Sequence, residues 1–155
     1  MHGYNYSIKL LQKIVKSGEI SKYLSKINDY FKRESPIFRF LGIEIIEISR
    51  GKAILKFQYN KNHTRIGGII HGGIIVMALD QAMGTAALTV NPGRDQVTME
   101  IKVNYLKTLN EKNSPYTVIG VVLRSGKNTI VVKGEVWDNY NELSAVSTGT
   151  WFIIY

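Results

Sequence analysis

The chain has 155 residues, of which 45% are hydrophobic and 21% are charged, so it has the size and apolar content of one globular domain and not of a disordered segment. It contains no cysteine, which excludes a disulfide scaffold, a thiolate metal site and a cysteine nucleophile. Twenty basic residues against twelve acidic ones give a net charge of +8, which predicts attraction to nucleic acid, an anionic membrane or a phosphorylated small molecule.

The first 34 residues combine a basic charge with helical patterning. Seven basic and three acidic residues give this segment a net charge of +4. Its apolar residues recur at helical spacing with an interruption at Ser17 and Gly18, which predicts two short amphipathic helices. A third helical turn is expected to begin at Pro36 and to end at Gly42.

We assign residues 1–35 to an N-terminal helical extension and residues 36–155 to the main domain. The first 30 residues lack the apolar core and small-residue cleavage site of a signal peptide. The most apolar stretch, residues 69–90, is interrupted by polar residues and glycines and does not read as a membrane span. The sequence therefore predicts a cytoplasmic protein without a membrane partner.

The rest of the chain reads as strands arranged around one long helix. Runs of β-branched and aromatic residues predict strands over 43–49, 52–59, 96–107, 115–124, 128–138 and 143–154. Residues 60–70 are expected to form a loop, and a helix is expected over 72–90, where Asn91-Pro92-Gly93 ends it. In 96–107 apolar residues alternate with polar ones, which predicts that Val97, Met99, Ile101, Val103 and Tyr105 share the buried face.

This order of elements indicates an α+β fold. The helix over 72–90 is apolar on every side and must be buried. Short connections between the later strands imply antiparallel pairing. A curved antiparallel sheet wrapped around one central helix satisfies both conditions.

Asp80 lies in the middle of this apolar helix. An unpaired carboxylate there is costly to bury, or its pKa rises. Gly73 and Gly84 lie on the same helical face within two turns, which predicts an open slot beside the carboxylate. Such a slot indicates a ligand site. The alternative is a structural residue paired with Arg65 or Arg124.

A glycine-rich segment, residues 67–73, leads into the helix. It leaves the amides of Gly72 and Gly73 unpaired at the positive end of the helix dipole, where they can polarise a carbonyl group. Together with a carboxylate acting as nucleophile or general base, they would form an acyl-transfer site. His71 is either a capping residue or a catalytic base.

The spacing of these groups predicts a homodimer. Gly72 and Asp80 are separated by eight residues, about 12 Å along a helix axis, yet both must lie about 3 Å from one reacting group. Antiparallel packing of two such helices across a two-fold axis would place Gly72 of one subunit beside Asp80 of the other. The three histidines show no ligand spacing, so no metal is expected.

The segment HGGIIVMALDQAMG resembles the signature of hotdog-fold acyl-CoA thioesterases, in particular the phenylacetic-acid-pathway type within the 4-hydroxybenzoyl-CoA thioesterase superfamily. The resemblance extends from about residue 36 to the end and includes VTMEIKVNYLKT, RSGKNTIVVKGEVWD and STGTWFIIY. It implies a hotdog fold and hydrolysis of acyl-CoA to a free acid and coenzyme A. It further implies that no cofactor is needed and that the homodimer assembles as a dimer of dimers.

The resemblance also implies roles for individual residues. Asp80 matches the catalytic acid, acting as general base or nucleophile, and Gly72 matches the amide that polarises the thioester carbonyl from the partner subunit. His71 matches the histidine that supports this turn, and Thr98 matches the hydroxyl residue that orients the attacking water. Where the family commonly has an asparagine, this chain has Arg65, which could bind an oxyanion or a phosphate or pair with Asp80.

Further candidates for substrate binding are Gly73, Lys107, Arg124 and Lys127. The basic ones lie near strand ends, where they could contact the phosphates of coenzyme A or serve as ordinary solvated charges.

Two other functions stay open. One is a non-catalytic acyl-CoA or fatty-acid sensor whose basic helices contact DNA or another protein, although no helix-turn-helix pattern favours nucleic acid. The other is a dehydratase acting on a hydroxyacyl thioester.

Overall fold

The computed structural model describes residues 2–154, with side chains described from residue 8 onward. Its helices are α1 (His2–Ser17), α2 (Ile20–Glu34), α3 (Pro36–Leu41) and α4 (Gly72–Leu88). Its strands are β1 (Glu44–Ser49), β2 (Lys52–Phe57), β3 (Thr64–Arg65), β4 (Ile69–Ile70), β5 (Gln96–Tyr105), β6 (Tyr116–Ser125), β7 (Thr129–Trp137) and β8 (Leu143–Ile153). Single 3-10 turns occur at Lys61–His63 and Glu111–Asn113.

Six strands form one antiparallel sheet in the order β1-β2-β6-β7-β8-β5. The sheet curves around α4, which confirms the predicted α+β class. Close packing of β6 on the helix requires glycine, because a Cβ atom at Gly120 would lie 2.6 Å from the Ala82 carbonyl oxygen. The sheet therefore holds α4 firmly at its centre.

The central helix is buried as its composition predicts. Ala78, Leu79, Ala82 and Met83 are completely inaccessible to solvent. The helix ends at Leu88, two residues earlier than expected. After it, the Thr89 hydroxyl donates to the Ala86 carbonyl and accepts from the Gly51 amide, each at 2.7 Å, which ties the helix end to the turn between β1 and β2.

The three N-terminal helices also agree with the sequence pattern. Gly18 separates α1 from α2 with φ at +72°. Ser35 caps α3 by accepting a hydrogen bond from the Phe38 amide, and Gly42 ends that helix in the left-handed conformation. The loop expected over 60–70 is more ordered than predicted, because it contains a 3-10 turn and the β3–β4 hairpin.

Helix α2 packs against β1, which is an edge strand of the sheet. The buried side chain of Asn28 donates to the Ile45 carbonyl at 2.9 Å and accepts from the Ile45 amide at 2.7 Å. These bonds satisfy backbone groups that an edge strand otherwise leaves unpaired.

The division of the chain at residue 35 stays a prediction. In the described part of the chain, no helix is both long and apolar enough to cross a membrane.

Candidate active site

Asp80 is half-buried on α4, with its carboxylate directed toward β5. Its Oδ1 atom accepts a hydrogen bond from the Thr98 hydroxyl at 2.7 Å. Burial raises the pKa of Asp80, and the hydrogen bond from Thr98 opposes that shift to a smaller extent. Among the described residues, no arginine forms an ion pair with this carboxylate. Within one subunit, neither Arg65 nor Arg124 is therefore seen to pair with Asp80.

A β-bulge in β5 directs Thr98 toward Asp80. The pairing register with β8 shifts between Thr98 and Glu100, so one additional residue enters β5 at this point. Thr98 consequently shares the helix-facing side of the strand with Ile101, and Met99 is 61% exposed. The predicted simple alternation in this strand is wrong, because a shift of one residue moves side chains to the opposite face.

The hydrogen bond from Thr98 predicts a measurable change in the titration of Asp80. Thr98→Val keeps the shape of the side chain but removes the donor, so the pKa of Asp80 is expected to rise further. Thr98→Ser keeps the hydroxyl and should leave the pKa close to the wild-type value. Carbon-13 NMR titration of the Asp80 carboxyl group in the three proteins measures this. A pKa that is equal in Thr98→Val and wild type contradicts the assigned role of the bond.

A cavity of about 270 Å³ opens beside Asp80. Helix α4 and strands β5 and β8 contribute Asp80, Gln81, Gly84, Thr85, Leu88, Gln96, Thr98 and Trp151 to its wall. The other side comes from α2 and the residue after it, which contribute Tyr30, Phe31, Glu34 and Ser35. The predicted slot beside the carboxylate thus exists on the Gly84 side, whereas Gly73 is not part of it.

The start of α4 provides one free backbone amide. His71 is the N-cap residue, and its Nδ1 atom accepts a hydrogen bond from the Gly73 amide at 3.0 Å. The prediction of two unpaired amides is therefore corrected to one, because the imidazole occupies the Gly73 N–H. Within the described residues 2–154, the Gly72 N–H makes no hydrogen bond. The Tyr105 hydroxyl, 3.1 Å from the Gly72 carbonyl oxygen, supports the same turn.

The amide of Gly72 does not reach the Asp80 cavity within one subunit. Eight residues of α4 separate the two groups, about 12 Å along the helix axis. Gly72 is not among the residues that line the cavity. A single subunit therefore brings Asp80 and Thr98 together but leaves His71, Gly72 and Gly73 at a separate location.

The basic candidates for substrate binding lie outside the cavity. Arg65 is exposed in β3, and its Nη1 atom donates to the Ile66 carbonyl at 2.8 Å. Lys107 forms ion pairs with the buried Asp138, at 3.0 Å, and with Glu142. Lys107 thus neutralises a buried carboxylate, which sequence reasoning did not foresee.

Arg124 and Lys127 are exposed at the end of β6 and in the turn before β7. Neither lines the Asp80 cavity. Their contact with a substrate phosphate stays a prediction.

Sequence reasoning missed the residues of α2 that form one wall of the cavity. Tyr30 and Phe31 follow the helical apolar pattern, so they read as core residues of the N-terminal extension. Gln96 was also missed, although its side chain donates to the Gly84 carbonyl at 2.8 Å and holds β5 against α4. No signal in the sequence indicates which side of α4 these residues reach.

Comparison with known proteins identifies the family of the chain. The family model described as the thioesterase superfamily matches residues 67–145. A relative from Saccharolobus solfataricus that bears the name "Putative esterase" is 41% identical over 131 residues, covering 84% of this chain and 92% of the relative. The 1,4-dihydroxy-2-naphthoyl-CoA hydrolase of Listeria monocytogenes is 26% identical over 111 residues, covering 71% of this chain and 89% of that protein.

The fold has a clear counterpart among solved structures. Thioesterase HI1161 from Haemophilus influenzae superposes with a TM-score of 0.76 at 22% identity, covering 84% of this chain and 90% of that one. Fold and sequence together define a hotdog protein of the thioester hydrolase class. The chain belongs to the thioesterase superfamily, which confirms the resemblance predicted from its sequence.

Proposed function

We propose that the protein hydrolyses an acyl-CoA thioester to a carboxylic acid and coenzyme A, with Asp80 as general base or nucleophile. The observation that carries this proposal is the half-buried Asp80 carboxylate, which faces a cavity and whose pKa is raised by burial. A carboxylate with a raised pKa is a better proton acceptor than an exposed one. The Listeria relative acts on a coenzyme A thioester, which supports coenzyme A as the thiol portion.

The chemistry requires only water as the second substrate. In the general-base route, Asp80 takes a proton from water, the water oxygen adds to the thioester carbonyl carbon, and the C–S bond breaks to release coenzyme A as the thiol. In the nucleophilic route, a carboxylate oxygen of Asp80 adds to the thioester carbonyl carbon, and the C–S bond breaks to expel coenzyme A as its thiolate, which takes up a proton. Water then hydrolyses the resulting mixed anhydride, which releases the carboxylic acid and regenerates Asp80. The Thr98 hydroxyl donates a hydrogen bond to Asp80 and so positions the carboxylate. Neither route needs a metal or a cofactor.

The open edge of the sheet supports a homodimer as the active form. Helix α2 covers the β1 edge through Asn28, but no described element pairs with the outer edge of β5. This strand exposes Met99 and, just beyond its end, Leu106 at 57%. Pairing of two β5 strands would bury these apolar groups and satisfy the unpaired backbone. In the proposed dimer, the free Gly72 amide of one subunit reaches the thioester carbonyl beside Asp80 of the other; the further dimer of dimers stays a prediction.

The test is release of free thiol from a panel of short, long and aromatic acyl-CoA thioesters. The proposal requires turnover of at least one of them by the wild-type protein. Binding of acyl-CoA without any thiol release would contradict the proposal and favour the non-catalytic binding protein.

The pH dependence of hydrolysis is a separate prediction. Because burial raises the pKa of Asp80, the proton-accepting form is lost at a higher pH than for an ordinary aspartate, whose pKa is about 3.9. We expect kcat/KM to fall as the pH decreases through that raised pKa, and the midpoint to move higher in Thr98→Val. Rates measured in overlapping buffers from acidic to neutral pH provide the test. A midpoint unaffected by Thr98→Val would show that another group controls the rate.

A further inference from the structure

A second cavity lies between α1 and α2, near the N-terminus of the chain. This α1–α2 groove has a volume of about 740 Å³, within the range of about 300–1,000 Å³ that ligand sites occupy. Its floor is apolar and includes Leu11, Ile14 and Ile27. Leu10, on its wall, is 46% exposed, so apolar surface stands open to solvent with no partner in the described residues.

The α1–α2 groove borders the cavity beside Asp80. Tyr30, Phe31 and Leu88 line both of them. The Asp80 cavity is small, about 270 Å³, and several polar side chains line it, among them Gln96 and Thr98. It has room for a thioester group, but a long acyl chain would extend beyond it. On the other side of Phe31 and Leu88, the groove offers apolar side chains such as Leu11 and Ile14.

The charged residues of the groove do not contradict an apolar occupant. Lys13, Lys26 and Arg33 contribute to its lining, as do the acidic Glu19 and Asp29, and all five are exposed to solvent. Long basic side chains place their methylene groups along apolar surface and keep the charged end in water. The groove is therefore an apolar trough with a charged rim, which suits a hydrocarbon chain.

We propose that the α1–α2 groove binds the distal part of a straight acyl chain whose thioester carbon lies beside Asp80. The inference rests on the proposed function and extends it to a substrate class: medium to long straight-chain acyl thioesters. Each methylene group buried on binding improves affinity by about fourfold. The N-terminal extension thus selects the length of the acyl chain.

The test compares hydrolysis of dodecanoyl-CoA and butanoyl-CoA. We expect wild-type kcat/KM to be at least tenfold higher for dodecanoyl-CoA. Ile14→Trp fills the groove and should lower this preference at least tenfold. Lys16→Trp adds the same side chain to an exposed position of α1 outside the groove and should leave the preference unchanged. The proposal would be overturned if Ile14→Trp lowered kcat/KM equally for both substrates or left the preference unchanged.

Two further measurements keep this test decisive. If Ile14→Trp does not fold, Leu10→Trp replaces it, because the exposed Leu10 side chain leaves space for a larger one. If wild type releases thiol from neither substrate, calorimetric binding of the same two thioesters tests the groove alone, and the acyl-CoA panel tests hydrolysis separately. Tighter binding of dodecanoyl-CoA that Ile14→Trp abolishes supports the groove, and equal binding of both thioesters overturns it. A change in the oligomeric state of the Trp variants, measured by sedimentation, would also overturn the proposal, because it would show that a second copy of the chain occupies the groove.

Discussion

Asp80→Asn is expected to lower kcat for acyl-CoA hydrolysis by about 10²–10⁴-fold, the usual contribution of a positioned proton acceptor. Asparagine has the same shape and can still accept the hydrogen bond from Thr98 through its amide oxygen. It can neither take a proton from water nor attack a carbonyl. The loss should therefore appear in kcat with little change in KM. Thiol release under saturating acyl-CoA measures it.

Asp95→Asn is a matched control for this variant. Asp95 is half-buried just before β5, where it accepts a hydrogen bond from the Gln96 amide, and it lies outside the cavity. Its replacement should leave kcat within about twofold of wild type, as for most changes outside a site. An Asp80→Asn enzyme with the wild-type rate would remove Asp80 from the mechanism.

The stability of Asp80→Asn distinguishes a catalytic loss from unfolding. Because burial raises the pKa of Asp80 in the folded state, its ionisation opposes folding once the pH exceeds the unfolded-state value. The neutral asparagine avoids this cost. We therefore expect the Tm of Asp80→Asn to equal or exceed that of wild type at pH 7, with the difference shrinking as the pH falls toward about 4. Thermal unfolding at both pH values checks the expectation.

The second large effect is expected for a heterodimer of two inactive subunits. Gly72→Pro removes the proposed carbonyl-binding N–H, and proline is tolerated at the first position of a helix. His71 is already extended, with ψ at 137°, as a residue before proline requires. Each homodimer, Gly72→Pro or Asp80→Asn, should lose most of its activity.

Their heterodimer contains one site in which both groups are native. If the Gly72 amide acts across the interface, a heterodimer purified with two different tags should recover about half of the wild-type rate. No recovery would contradict sites shared between subunits. Gly72→Ala is the control, because it keeps the N–H and adds only a Cβ atom 3.1 Å from the Tyr105 hydroxyl oxygen. Gly72→Ala should lose less hydrolytic activity than Gly72→Pro.

Local patterns in the sequence were sufficient for the order of the helices and of the six strands in the main sheet, and they single out two groups suited to chemistry. The apolar composition of residues 72–88 required a buried helix, and short connections required antiparallel hairpins. A carboxylate within that helix and a glycine-rich helix start are both visible as single-residue features. These inferences depend on neighbours within a few positions, which the sequence displays directly.

Inferences about side-chain partners were less successful, because partners are distant in the chain. The bulge in β5 moves Thr98 to the helix side, and no local pattern marks its position. The sequence left His71 as a base or a cap, and only the tertiary structure showed that its Nδ1 atom accepts a hydrogen bond from the Gly73 amide. Lys107 is a candidate for phosphate binding, and no signal in the sequence indicated that it pairs with the buried Asp138.

The net charge of +8 is fixed by the sequence alone, as are the absence of cysteine and the presence of one carboxylate in an apolar helix. What the basic N-terminal segment does in the fold was decided by tertiary structure. Asn28 anchors α2 on β1, and this packing brings Tyr30 and Phe31 to the cavity of Asp80, about 50 positions further along the chain. Periodicity specifies which face of a helix is buried, but the surface that buries it depends on how the whole sheet curves around α4.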